Sequence, residues 1–159
     1  MSISTRVANF LDEQNIEYDT LNHPHANTTA DAALAAHIPP KSVAKAVVLE
    51  DHDNRHLMAI LPADHKLSLH KLNHKMDTEL HLVDESRVYQ MFSDCDPGAV
   101  PAISQAYNMN AIYDDALDRL DDVYFEAGDH KTFIHLNKAQ FGKLMENTKH
   151  SRFSSETYY

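Results

Sequence analysis

The chain holds one cysteine, Cys95, so neither an internal disulfide nor a cysteine-based zinc site can form. It lacks any apolar run approaching the roughly 20 residues that cross a bilayer. Its first residues, MSISTRVANFLDEQ, lack the apolar core and small-residue cleavage site of a signal peptide. Positive charge is scarce: Lys and Arg total 14 against 24 Asp and Glu, a formal net charge of −10. That balance argues against coating DNA or an anionic membrane through bulk charge, but it leaves room for nucleic acid at one local basic spot. No G-x-S-x-G elbow, P-loop, dinucleotide fingerprint, HExxH or EF-hand loop is present. What remains is 159 residues, 43% hydrophobic and 24% charged, which suits one domain with a packed core. The expectation is a soluble, cytoplasmic, single-domain protein.

Hydrophobic spacing predicts a mixture of short helices and short strands. Val7, Phe10 and Leu11 recur near a 3.6-residue period and predict a helix over Ser4 to Gln14. Tyr18 and Leu21 read as a short strand. Thr28-Thr29-Ala30-Asp31 has the form of a capping box opening an Ala-rich helix, which Pro39-Pro40 stops. Val43 to Glu50 is the strongest strand and pairs as a hairpin with Leu57 to Leu61. Pro62 to His65 reads as a loop. Ser68 and Asp84 read as caps of two further helices, with a strand over Glu79 to Val83 between them. Strands follow at Asn110 to Tyr113, Val123 to Ala127 and Thr132 to Leu136, and Asn137 caps a last helix. Without strict βαβ alternation the class is α+β with a mixed or antiparallel sheet. The domain is expected over 1–145. Residues 146–159 show no period and are expected to form a mobile tail.

Three places could carry chemistry. Lys45 shares the more apolar face of its strand with Val43, Val47 and Leu49. A lysine there either guards a strand edge against aggregation or places a cation on a cleft wall, where it meets a phosphate or carboxylate. Pro97-Gly98-Ala99-Val100-Pro101 fixes φ on both sides of a glycine able to take positive φ. It is either a plain turn or a stiff loop that aims its backbone groups at a small polar ligand or a developing oxyanion. Glu126-Ala127-Gly128-Asp129-His130, followed by His135, gathers carboxylates and imidazoles suited to acid–base work. A metal-dependent hydrolase would draw on Asp114, His130 and His135, but the 12 histidines are scattered rather than grouped at ligand spacing. Cys95 sits between Asp94 and Asp96, which disfavour its thiolate.

These places stand in one order with other landmarks. His23-Pro24 and Thr28 come first, then Val43-Ala44-Lys45-Ala46-Val47-Val48-Leu49 and Leu61-Pro62-Ala63-Asp64. Gly98-Ala99-Val100-Pro101, Ile112-Tyr113-Asp114-Asp115-Ala116-Leu117 and Phe125-Glu126-Ala127-Gly128-Asp129-His130 follow. With them the chain, from about Phe10 to Met145, resembles the YbaK/EbsC family of aminoacyl-tRNA deacylases. That family is related to the editing insertion domain of bacterial prolyl-tRNA synthetase. The resemblance implies one α+β domain with a mixed, barrel-like sheet flanked by short helices. It implies hydrolysis of the ester of a mischarged tRNA by water, which a rigid backbone loop positions and the substrate 2′-hydroxyl assists. Lys45 would contact the terminal nucleotide and Gly98 would position the reacting group, as the catalytic pair. Thr28, Ala99, Val100, Pro101, Asp114, Gly128 and His135 would bind substrate. No metal and no cofactor is implied. The partners implied are the acceptor end of tRNA and, for delivery, an aminoacyl-tRNA synthetase; DNA and membrane are not. Many relatives place a second proline and then a glycine after the loop, where this chain has Ala102-Ile103-Ser104. That change and the acidic surface also fit a binding module of the same fold that has lost catalysis.

Overall fold

Side-chain caps start most of the helices where the sequence places them. The computed structural model describes residues 4–157. Ser4 Oγ accepts from Val7 N–H at the start of α1, Thr5–Glu13, whose Val7 and Leu11 are fully buried. After β1, Asp19–Asn22, Thr28 Oγ1 accepts from Asp31 N–H at 3.1 Å and caps α2, Thr29–Ala35. β2, Ala44–Glu50, pairs antiparallel along its length with β3, His56–Pro62. β4, His65–Leu67, starts on the last residue of the predicted loop and covers two residues that carried no prediction. Ser68 caps α3, Leu69–Met76; β5, His81–Leu82, and α4, Glu85–Met91, follow, though Asp84 makes no side-chain cap bond. β6 is Asn110–Asp114, β7 Asp122–Glu126 and β8 Thr132–Asn137. Asn137 Oδ1 accepts from Gln140 N–H at 2.9 Å and caps α5, Lys138–Leu144. β9, Lys149–Ser151, and β10, Ser154–Glu156, complete the order. Among the described residues no helix is long and apolar enough to cross a membrane.

The sheet is mixed, as expected, but it is not a barrel. Five strands run in the order β5-β2-β3-β6-β9, with β3–β6 and β6–β9 parallel and the other pairs antiparallel. A separate antiparallel sheet has the order β1-β8-β7, and β10 pairs with β4. A barrel needs an unbroken ladder around its girth. Here the five-stranded and three-stranded sheets are joined by an isolated bridge, Val43 to Tyr124, and the flanking strands β5 and β9 are too short to carry the ladder round.

Alternation along β2 and β3 sends the two faces of the large sheet into two cores. Ala44, Val48, Met58 and Ile60 pack with Val7, Leu11 and Phe141. Leu49, Leu57, Ala59 and Leu61 pack with Leu72, Ile112 and Phe153. Phe153 belongs to the stretch expected to be a mobile tail. Up to residue 157 the structure corrects that expectation, while 158 and 159 lie outside the described residues: β9 extends the sheet beside β6, Phe153 is fully buried, and Thr157 N–H reaches Asp64 O at 2.9 Å. A three-residue strand has no readable period, and its order comes from the sheet edge it meets.

Candidate functional site

Lys45 sits in an interior strand, so it is not a simple edge guard. β5 pairs only with Leu49 and Glu50, however, leaving the N-terminal half of β2 without a ladder partner on that side. Along this open stretch lies a cavity of about 270 Å³ whose lining includes Thr29, Lys45, Leu82, Glu85, Gly98 and Val100. The Lys45 ammonium donates to His65 O at 2.7 Å and to Ala63 O at 3.5 Å. Partial burial lowers its pKa below the ordinary lysine value, and the Asp64 charge opposes that shift. An ammonium has three hydrogens, so these two carbonyls leave one for a ligand.

The opposite wall is the loop over 97–101. Gly98 has φ +82°, the left-handed region that L side chains avoid. Ala99 N–H closes a turn on Asp96 O at 3.0 Å, and Asp96 N–H is held by Gly128 O at 2.7 Å. A Cβ on Gly98 would lie 3.3 Å from His130 Cε1, and one on Gly128 would lie 3.1 Å from Cys95 Sγ. Two glycines thus let the loop and the β7–β8 turn approach closely. Ala99 and Pro101 are buried, and Val100 reaches the cavity. Among the described residues the Gly98 N–H finds no acceptor.

The remaining predicted residues do not all converge here. Thr28 uses its hydroxyl to cap α2, and its neighbour Thr29 reaches the cavity instead. Gly128 lies behind the loop rather than in the wall. His135 is half-buried on β8, stacked on Tyr124 with ring centroids 4.6 Å apart and bonded to Asp19 and Asp122 at 2.6 and 2.7 Å. Burial works against its charge, but those two carboxylates outweigh it and raise its pKa. Asp114 is 2% exposed and fully used within the fold: Oδ1 accepts from Ala116 N–H, and Oδ2 accepts from Phe153 N–H, Ser154 N–H and Ser154 Oγ–H. Asp114, His130 and His135 therefore hold separate partners and form no common metal site. Asp115, Asp118 and His150 do approach one another within 4.8 Å at the surface. Cys95 is buried, which pushes its thiol up to about 12 against the opposing hydrogen bond from Tyr107, and it is no nucleophile at neutral pH.

Sequence reading singled out the Glu126–His130 stretch but missed how it is used. Glu126 and His130 are both buried, and His130 Nε2 is hydrogen-bonded to Pro97 O, the carbonyl just before Gly98. Their separation, four residues across a turn, was the available signal. Leu82 and Glu85 in the cavity wall carried none. A larger cavity of about 550 Å³, edged by Phe10, Gln105, Met109 and Lys149, contains none of the predicted site residues.

Comparison with known proteins places this geometry in a wider set. The family described as "Aminoacyl-tRNA editing domain" matches residues 23–144. No curated protein matches the sequence. Among solved structures, the hypothetical protein APE2540 superposes with a TM-score of 0.83 at 15% identity, over 94% of this chain and 99% of its own. A "putative trans-editing enzyme for prolyl tRNA synthetase" gives 0.81 at 16% identity, over 96% of each chain. A "putative signal transduction protein" from Marinobacter aquaeolei VT8 gives 0.77 at 17% identity, over 95% of this chain but 30% of that one. At these identities the likeness is one of fold.

Proposed function

The chain belongs to the aminoacyl-tRNA editing domain family, and from that premise we propose that it is a trans-acting aminoacyl-tRNA deacylase. The reaction is hydrolysis of the ester between a mischarged amino acid and the terminal ribose of tRNA. The observation that carries this reading is the shared cavity: Lys45 and Gly98, remote in sequence, line one hollow of about 270 Å³. Lys45 offers its third N–H to a phosphate or ribose oxygen of the terminal nucleotide. The unpaired Gly98 N–H suits the ester carbonyl oxygen as it gains negative charge. An aminoacyl ester is already activated, so the protein needs only to orient water and stabilise charge, with the substrate 2′-hydroxyl assisting. That chemistry needs no triad and no metal. Recognition confined to the acceptor end, with a synthetase delivering the tRNA, reconciles the reading with a net charge of −10.

The test is deacylation of mischarged tRNAs, beginning with alanyl- and cysteinyl-tRNA carrying proline anticodons. Wild type hydrolyses at least one, and Lys45→Ala lowers the rate by about 100-fold or more, the scale of losing one charge-stabilising donor. Failure to hydrolyse any mischarged tRNA rejects the proposal. A second reading, a binding module that has lost turnover, is favoured by the likeness to a segment making up 30% of a longer protein. In that case Lys45→Ala changes affinity for the tRNA acceptor end with no turnover in either protein.

A further inference from the structure

Behind the Gly98 loop lies a buried polar cluster that the chemistry above does not use. Glu126, the last residue of β7, is 2% exposed. Its Oε2 lies 3.2 Å from His130 Nδ1, and its Oε1 lies 3.7 Å from His23 Nε2. The far nitrogen of each ring faces a backbone carbonyl: His130 Nε2 meets Pro97 O, and His23 Nδ1 meets Pro24 O at 2.8 Å. A carbonyl only accepts, so those far nitrogens carry the hydrogens. In neutral rings the nitrogens turned towards Glu126 are then bare, and an ionised carboxylate is bare as well. All four facing atoms are buried without a hydrogen-bond partner. Lone pairs confronting each other away from water are costly unless a proton lies among them. The cluster therefore holds at least one proton more than neutral rings and a carboxylate would carry. The shorter gap, between Glu126 and His130, is its place.

We propose that Glu126 and His130 are a positioning pair that shares one proton, and that this proton keeps His130 Nε2–H on Pro97 O and so holds the Gly98 loop against the Lys45 cavity. The functional consequence rests on reading that cavity as the deacylation site. The groups around the pair agree with a retained proton. His23 and His25 approach from the segment between β1 and α2, the His25 ring edge-on to His130 at 5.5 Å between centroids. Asp129, on the same turn, adds negative charge while its own oxygens accept from Lys131 N–H and Thr132 Oγ–H. The 93–101 loop contributes the Pro97 carbonyl. Burial first, and then the Asp129 charge, push the Glu126 carboxyl up to about 8. His130 itself sits at φ +59°, in the left-handed region that a minority of non-glycine residues adopt.

Losing the proton has a defined effect. His130 is then left with one hydrogen and two acceptors, a carboxylate and a carbonyl. The charged acceptor is the stronger, so the hydrogen moves to Nδ1 and Pro97 O loses its donor. The loop loosens, and deacylation, corrected for spontaneous hydrolysis, falls as pH rises through the value for the cluster. A glutamine at 126 donates an amide N–H to Nδ1 at every pH and keeps the loop anchored.

The experiment pairs a pH–rate profile on mischarged tRNA with 15N NMR of the His130 ring in the free full-length protein. In wild type, kcat falls about tenfold from neutral to alkaline pH with KM little changed, the scale of one lost hydrogen bond in the transition state. The His130 ring shifts from the Nε2–H to the Nδ1–H tautomer over the same range. Glu126→Ala lowers kcat at neutral pH; Glu126→Gln rescues it and removes both the alkaline fall and the tautomer change. A wild-type ring that stays Nε2–H throughout, or an alkaline fall that persists in Glu126→Gln, overturns the proposal. A tautomer change without hydrolysis of any tRNA supports the shared proton and instead overturns the deacylase reading.

Discussion

Replacing Asp114 with alanine should detach the C-terminal cover of the large sheet rather than empty a substrate site. Its Oδ2 accepts from Phe153 N–H at 3.0 Å, Ser154 N–H at 2.9 Å and Ser154 Oγ–H at 2.7 Å, while Oδ1 accepts from Ala116 N–H at 2.9 Å. A hydrogen bond to a charged group contributes about 1.5–3 kcal/mol, and a buried N–H left without an acceptor costs about 1–3 kcal/mol. These contributions share atoms and cannot be summed, and water entering the vacated site recovers part of the loss. The expected cost is about 3–5 kcal/mol, in the range for breaking a buried polar network. If 149–156 lifts away, Phe153 leaves the core with it, so the loss should couple to that of Phe153→Ala, itself about 3–5 kcal/mol. Urea denaturation followed by circular dichroism measures the first quantity. Limited proteolysis measures the second effect, since cleavage between 146 and 157 should precede cleavage elsewhere. Asp114→Asn keeps the shape and one acceptor oxygen and should cost less than alanine. A loss below about 1 kcal/mol with unchanged proteolysis would refute the structural role, given the magnitudes above. Coupled with lost deacylation, that result would return Asp114 to the substrate.

Gly98→Ala forces an L side chain into φ +82° beside His130, and it should cost about 1–2 kcal/mol and lower kcat while the protein still folds. Gly128→Ala, at φ +121° and against Cys95 Sγ, should cost about 1–3 kcal/mol, and a thermal melt equal to wild type would show that the turn relaxes freely. The Arg87 guanidinium donates to both Glu50 oxygens at 2.6 and 2.8 Å. That bond, with help from His81 and against the effect of burial, holds the Glu50 carboxyl at about 2 rather than 4.5. A depressed folded-state value means the pair stabilises the fold above about 4.5 and loses that contribution as pH falls towards 2. Arg87→Met should therefore move the acid-unfolding midpoint to higher pH, and an unmoved midpoint in a circular dichroism titration would rule the pair out as a determinant of acid stability.

The sequence alone determined whatever depends on near neighbours. Caps at Thr28, Ser68 and Asn137, the alternation of β2 and β8, and the φ freedom of Gly98 are set within a few residues, and all were legible. Lys45 stood out because a charge on an apolar strand face is anomalous wherever the strand ends up. Tertiary structure decided the rest. β4, β9 and β10 are three residues each and become strands only because an edge is there to pair with. The sheet stays open because ladders end, which no periodicity records. Asp114 accepts four hydrogen bonds within the fold while Glu126 is buried facing two imidazole rings, for one reason: a carboxylate's role follows from what covers it and which polar groups face it. Those groups, Phe153 and Ser154 in one case and His23 in the other, arrive from elsewhere in the fold.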